Sequence, residues 1–277
     1  MGTALVTGAS AGLGLEFAWQ LATARHDVVL VARDEQRLTR LARQLEAAAG
    51  VHAEVLVADL TDRADVERVA DRLRATERPV GLLVNNAGFG IHQRFVGGDV
   101  RREEEGLDVM VRAVMVLSHA AAGAMVERGR GAILNVASVA ALLASGTYSA
   151  HKAWVRSFTE GLAVELEGTG VTATVVCPGF THTEFHARGD IDTSAYPEVA
   201  WLDPEDVVAT ALADVRRGVV ISTPSLRYKA TSALVRVLPR SAVRAIGRYR
   251  KGVELPDEPT AAEAVDQAAD QDGARTD

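Results

Sequence analysis

Cysteine is nearly absent from this chain: of 277 residues only Cys177 is one, inside the apolar run Val175-Val176-Cys177. No internal disulfide can form, and a reducing, cytoplasmic setting is expected. Aromatic residues are scarce too, at 5% against 48% apolar residues overall, so Ala, Val and Leu must build the core. No uninterrupted apolar run of about 18 residues occurs, so no membrane-crossing helix is expected. A strand entered at Thr3 leaves no room for a signal peptide ahead of it, and none is expected. Metal-ligand clusters are missing: His182 and His186 stand four apart without an evident third ligand, and no metal is expected. The formal charge is −7, but from Glu254 onward the chain holds eight acids against Arg275, which leaves a neutral body. A neutral body without a recognisable binding motif argues against a nucleic-acid partner.

A chain of this length fits one large α/β domain or two small ones. Strand-like and helix-like segments alternate along it, which predicts βαβ units and a parallel sheet. Short β-branched runs at 4–6, 28–31, 53–57, 82–84, 132–136 and 172–176 suit strands covered on both faces, and 219–222 supplies a seventh. Helical patterns span 13–24, 35–48, 64–75, 101–128 and 148–167, with another beginning near Pro204, where Asp203 is the expected cap. Residues 1–224 are read as the catalytic, dinucleotide-binding domain. Residues 225–253 carry Arg and Lys with no acid, interleaved with Leu, Val and Ile. That segment reads either as two surface helices split at Pro239, or as an amphipathic patch resting on anionic lipid or covering the substrate. Residues 254–277, acidic and poor in large apolar groups, are expected to be disordered.

The motifs that carry chemistry follow in order. Thr7-Gly8-Ala9-Ser10-Ala11-Gly12-Leu13-Gly14 joins the first strand to the first helix. Its glycines permit a tight turn and let backbone approach a pyrophosphate at the positive helix end. The second strand ends Val31-Ala32-Arg33. An acid there would grip a ribose 2′-hydroxyl; Ala32 and the cation of Arg33 instead favour a 2′-phosphate, hence NADP(H). Arg33 also reads as an exposed residue at a helix start. Asp59-Leu60 would lie against the adenine edge, or Asp59 would cap the next helix. Tyr148 and Lys152, four apart, share one helical face. A phenol has an ordinary pKa of about 10, and the cation beside it is expected to draw that value down.

With Asn85-Asn86-Ala87-Gly88, Ser138 and Pro178-Gly179 with Thr183, these elements resemble the short-chain dehydrogenase/reductase family over residues 3 to about 223. The resemblance implies a doubly wound (Rossmann) α/β fold with a parallel seven-stranded sheet, here a single domain with a C-terminal helical extension. It implies a nicotinamide cofactor across the strand carboxyl ends and hydride transfer between it and an alcohol/carbonyl pair. Tyr148 would donate the proton, Lys152 would tune it and bind the nicotinamide ribose, and Ser138 would hold the developing oxyanion. Gly8, Ser10, Ala11, Gly12, Leu13, Gly14, Arg33, Asp59, Leu60, Asn86, Ala87 and Gly88 would contact the cofactor, with Pro178, Gly179 and Thr183 near its carboxamide.

Two departures stand out. Met110 takes a position where many members place an Asn that supports proton relay, and a thioether cannot donate a hydrogen bond. The segment from Ser138 to Tyr148 is about three residues shorter than the pattern, which would misplace Ser138 or widen the substrate mouth. The expected activity is an NADP(H)-dependent oxidoreductase acting on an apolar alcohol or ketone, with Phe89, Ile91, Phe185, Tyr196 and Trp201 supplying the apolar site and residues 180–200 a lid. The alternative is a catalytically weak dinucleotide-binding protein serving as a redox sensor or assembly partner. A homo-oligomer paired through the helices at 101–128 and 148–167 is expected. The Ala-rich stretch 120–124 would allow close approach there, or simply pack on the sheet.

Overall fold

The structure, a computed structural model, describes residues 2–91, 93–184 and 198–249. Seven parallel strands form one sheet: β1 Thr3–Thr7, β2 Asp27–Ala32, β3 Ala53–Val57, β4 Val80–Asn85, β5 Gly131–Val136, β6 Val171–Val176 and β7 Ile221–Ser222. Their spatial order is β3-β2-β1-β4-β5-β6-β7. The order reverses between β1 and β4, and in open sheets a ligand crevice opens at that reversal, beyond the strand carboxyl ends. Strands β1 and β2 are buried almost throughout without alternation, because helices cover both faces.

One face is covered by α1 Gly12–Thr23, α2 Glu35–Ala49 and α7 Pro204–Arg216, whose Phe17, Leu38, Leu45 and Val208 pack on Val6 and Leu30. The other is covered by α3 Arg63–Arg74, α4 Val100–Leu107, α5 Ala113–Glu127 and α6 Gly146–Glu165, with Val69, Leu73, Leu117 and Met125 packed on Leu83 and Ile133. Aspartates start four of the helices: Asp34, Asp62, Asp99 and Asp203 accept backbone N–H bonds at the N-terminal ends of α2, α3, α4 and α7. The start of α1 differs. Ala11 stands at its cap and supplies no side-chain acceptor.

The single helix expected over 101–128 is broken. A π-helical turn, Asp108–Arg112, separates α4 from α5 and holds Met110 at its centre, wholly buried. Such turns insert an extra residue and are frequent at functional sites. Taken together, Val100–Glu127 is long and apolar enough to cross a membrane by length and composition alone. Half of its apolar 18-residue window is buried inside the fold, however, as the core helix of a globular domain would be. Ala120 and Ala121 are used in that packing.

Beyond β7 the chain forms α8 Leu226–Val237 and α9 Arg240–Tyr249 on either side of Pro239.

Candidate active site

The crevice at the β1/β4 reversal is the mouth of a cavity of 1080 Å³. Gly8, Ser10, Ala11, Gly12 and Leu13 line one end, and Asn86, Ala87 and Gly88 lie across from them. Gly8 and Gly12 have φ of 68° and 56°, values that side chains other than glycine rarely accept. Gly14 does not line the cavity. A Cβ there would strike the Gly8 carbonyl and the Asn86 amide, so its role is close helix–strand packing. Thr7 ties the two walls together: its Oγ1 accepts from the N–H groups of Asn86 and Ala87, each at 3.0 Å. Asn86 Nδ2 answers by donating to the Thr7 carbonyl at 2.9 Å. Thr7 begins the glycine motif, yet nothing in the sequence marks it as the clamp.

Farther along, Arg33, Asp34, Arg37, Asp59 and Leu60 line the cavity. Arg33 is 74% exposed, and its guanidinium lies 3.9 Å from Asp59. Asp59 accepts from the Thr61 N–H and hydroxyl, while Asp62 caps α3, so the capping reading of Asp59 is set aside. Arg33 likewise precedes the cap of α2 instead of starting the helix. Arg37, a second cation at this end, pairs with Asp34 at 3.4 Å and with Glu184 at 3.3 Å. It was missed because only the fold brings α2 against the segment after β6.

At the other end stand Ser138, Tyr148 and Lys152. Ser138 begins a short 3-10 turn, Val139–Leu142, and its Oγ accepts from the Ala140 N–H at 3.1 Å. Its hydroxyl also shares a hydrogen bond with the Tyr148 phenol. The shortened segment therefore does not misplace Ser138: the 3-10 turn takes up the chain. Tyr148 lies in the first turn of α6, which starts two residues earlier than the pattern suggested. Thr147 beside it donates to the buried Glu103 of α4 at 2.6 Å, which fixes that turn against α4.

The expected electrostatics need correction. Burial pushes the Tyr148 phenol up to about 12, and the influence opposing it is the Ser138 hydrogen bond. Lys152 donates to the Val136 carbonyl at 2.8 Å, and its Nζ lies 5.7 Å from the Tyr148 ring centroid. Burial lowers its own pKa to about 8. The desolvation of both groups thus outweighs the cation's pull on the phenol. Met110 and Lys152 both lie against Gly88. A Cβ on Gly88 would meet the Met110 Cγ at 3.3 Å and Lys152 Nζ at 3.5 Å.

Pro178, Gly179 and Thr183 complete the lining. The remaining apolar wall is not the one expected. Phe89 is in it, but Ile91 packs beside Gly106, and Trp201 stacks with His182 and meets Phe180 at a tilt. Phe185, His186, Tyr196 and Pro197 lie outside the described residues, so most of the expected lid does too. The wall is made by Val109, Val139, Leu142, Leu143, Phe180 and, from α8, Tyr228 and Val235. His182 pairs with Glu198 at 3.1 Å, and among the described residues no cluster of metal-ligating side chains exists. His151 is buried next to Lys152, and that burial lowers its pKa.

This geometry is a cleft that runs from a glycine turn to a Ser–Tyr–Lys constellation. The sequence profile described as short chain dehydrogenase matches residues 2–192, and the chain belongs to that family of oxidoreductases. It is 37% identical to sulfoacetaldehyde reductase 2 of Chromohalobacter salexigens over 213 residues, 73% of this chain and 84% of that protein. A short-chain dehydrogenase from Sphingobium yanoikuyae in complex with NADPH superposes with a TM-score of 0.79 at 33% identity, covering 93% of this chain and 99% of that one. A short chain dehydrogenase/reductase from Burkholderia phymatum in complex with NAD superposes with a TM-score of 0.74 at 27% identity, covering 84% and 92%.

Proposed function

We propose that this chain is an NADP(H)-dependent oxidoreductase that interconverts an alcohol and a ketone with an apolar body. The observation that carries the reading is the Ser138–Tyr148 hydrogen bond, with Lys152 beside it, at the end of a cavity that begins on the glycine turn. The cleft fits a dinucleotide on its own geometry. The glycine turn leaves no Cβ in the way, and the N–H groups at the start of α1, without a side-chain cap, lie at a cavity-lining turn where a pyrophosphate would be held. The nicotinamide, when bound, supplies or accepts the hydride.

The chain's own residues do the rest. With its pKa near 12, Tyr148 is protonated at neutral pH and can deliver its proton to a carbonyl oxygen as that oxygen gains charge. Ser138 offers a hydroxyl to the same oxygen. Lys152, whose Nζ donates to the Val136 carbonyl, would engage the ribose hydroxyls and return a proton to Tyr148. Val139, Leu142, Leu143 and Val235 give the substrate end an apolar wall and exclude water. Among solved relatives one holds NADPH and another NAD, so the preference for NADP(H) rests on this chain's residues. Ala32 replaces the acid that would grip a 2′-hydroxyl, and Arg33 and Arg37 bring two cations to that end.

The test is NADPH oxidation against a panel of aldehydes and ketones, with wild type and Tyr148→Phe side by side. Turnover of bulky apolar ketones that is lost in Tyr148→Phe supports the reading. Tight NADPH binding without turnover on any carbonyl would return the chain to the sensor or assembly role.

A further inference from the structure

The two sides of α8 have opposite surroundings. Tyr228, Ser232 and Val235 line the cavity. At 3.6 residues per turn, Leu226, Leu234 and Val237 fall on the other side, where they are 83%, 59% and 79% exposed. The exposed Ala230 and Ala233 fill the strip between them. Cations border the strip on both edges: Arg227 on one, Lys229 and Arg236 on the other, all exposed. Arg240 and Arg244 continue the positive surface past Pro239, and no acid occurs from residue 225 to residue 253.

A row of large apolar side chains bordered by cations is the pattern of a helix that lies in a membrane interface. We propose that this face of α8 docks on an anionic lipid bilayer. The apolar strip would enter the boundary between headgroups and acyl chains, and the bordering cations would rest on lipid phosphates. Two other occupants fit less well. The acidic segment 254–277 of the same chain matches the charge, but its only large apolar residues are Leu255 and Val265, too few to cover the strip. A second copy of the chain would match the strip, but a two-fold contact would set the cations of one copy against those of the other.

Docking is read without turnover, so its failure and the failure of the hydride-transfer reading are separable. The experiment is flotation of the full chain with vesicles of phosphatidylcholine mixed with phosphatidylglycerol, and with phosphatidylcholine alone. The chain is expected to float with the mixed vesicles only, and less so as salt is raised. The pair Leu234→Ser and Val237→Ser should lower the partition coefficient about tenfold or more. The pair Lys229→Gln and Arg236→Gln should do the same, both with the thermal midpoint of the protein kept. Four results would overturn the proposal. They are no flotation, equal flotation on both vesicle types, flotation only after residues 254–277 are removed, and a dimer that the Leu234 and Val237 substitutions dissolve.

Discussion

Lys152 Nζ stands 5.7 Å from the centroid of the Tyr148 ring while donating at 2.8 Å to the carbonyl of Val136. The strand end thus holds the ammonium beside the ring, and the phenol takes its hydrogen bond from the Ser138 side. In this arrangement burial keeps the proton on Tyr148 near neutral pH, and Lys152 is the group that titrates nearer neutrality.

Replacing Tyr148 by Phe removes that acid and leaves the ring over Lys152. The carbonyl-reduction kcat is expected to fall by about a hundredfold or more, the usual scale of a positioned proton donor. NADPH affinity should change little, because the ring and Lys152 stay. Fluorescence titration with NADPH beside steady-state kinetics separates the two. A parallel loss of binding and turnover would assign Tyr148 to cofactor binding instead.

The pH profile should belong to Lys152. Its pKa is lowered to about 8, so the cation is lost as pH rises through that value. For reduction, kcat/KM is expected to fall above about pH 8, and Lys152→Met should remove that limb along with most of the activity. Stability moves the other way. Unfolded, the lysine returns to its ordinary 10.5, so between pH 8 and 10.5 the unfolded chain holds a proton the folded chain has released. Stability from this residue therefore rises with pH across that window. Thermal midpoints of wild type and Lys152→Met, measured on both sides of the window, should converge as pH rises.

Arg33 sets the coenzyme preference if its cation meets a 2′-phosphate. It is 74% exposed and only loosely paired with Asp59, at 3.9 Å, so it is available to a ligand. Arg33→Ala should raise the KM for NADPH by about tenfold and leave that for NADH nearly unchanged. Equal losses for the two coenzymes would mean that Arg33 supports the cleft without reading the phosphate.

The strands and most of the helices were legible in the sequence, because unbroken β-branched runs and apolar helical periodicity are local signals, and so was Asp203 as the cap of α7. So was the Ser138, Tyr148 and Lys152 set, because the motif order carries it. What escaped depends on distance through space. The π-helical turn at Met110 leaves no mark in a smooth apolar pattern. The meeting of Arg37 with Glu184 joins residues far apart along the chain. The spacing of Tyr148 and Lys152 predicts a downward pull on the phenol, but spacing is silent about burial, which dominates both groups.

A buried polar chain crosses the sheet behind the site. Asn85 Nδ2 donates to Ser118 Oγ at 3.1 Å and to Asn135 Oδ1 at 2.9 Å, and Asn135 Nδ2 donates to Thr159 Oγ1 at 2.9 Å. It ties β4 and β5 to α5 and α6, the helix that carries Tyr148 and Lys152. Asn135→Leu leaves the Asn85 amide donor without that acceptor and should destabilise the fold by about 1–3 kcal/mol. Urea denaturation checks it. A midpoint equal to wild type would show that the network is dispensable.

Tyr228 links the extension to the cavity wall. Its hydroxyl donates to the Ala200 carbonyl at 2.7 Å and accepts from the Phe180 N–H at 3.2 Å, so it holds both flanks of the segment between them. Its ring lies where a Cβ on Gly179 would go. Tyr228→Phe keeps the ring and removes both bonds. The KM for the carbonyl substrate is expected to rise several-fold with kcat nearly unchanged, since Tyr148 and Lys152 are untouched. Gly179→Ala should be more damaging, because its methyl and the Tyr228 ring cannot share one place. In a Tyr228→Ala background the same methyl has room, so Gly179→Ala should then add little further loss. Additive losses in the double variant would show that Gly179 is required for the path of its backbone and not for contact with the ring.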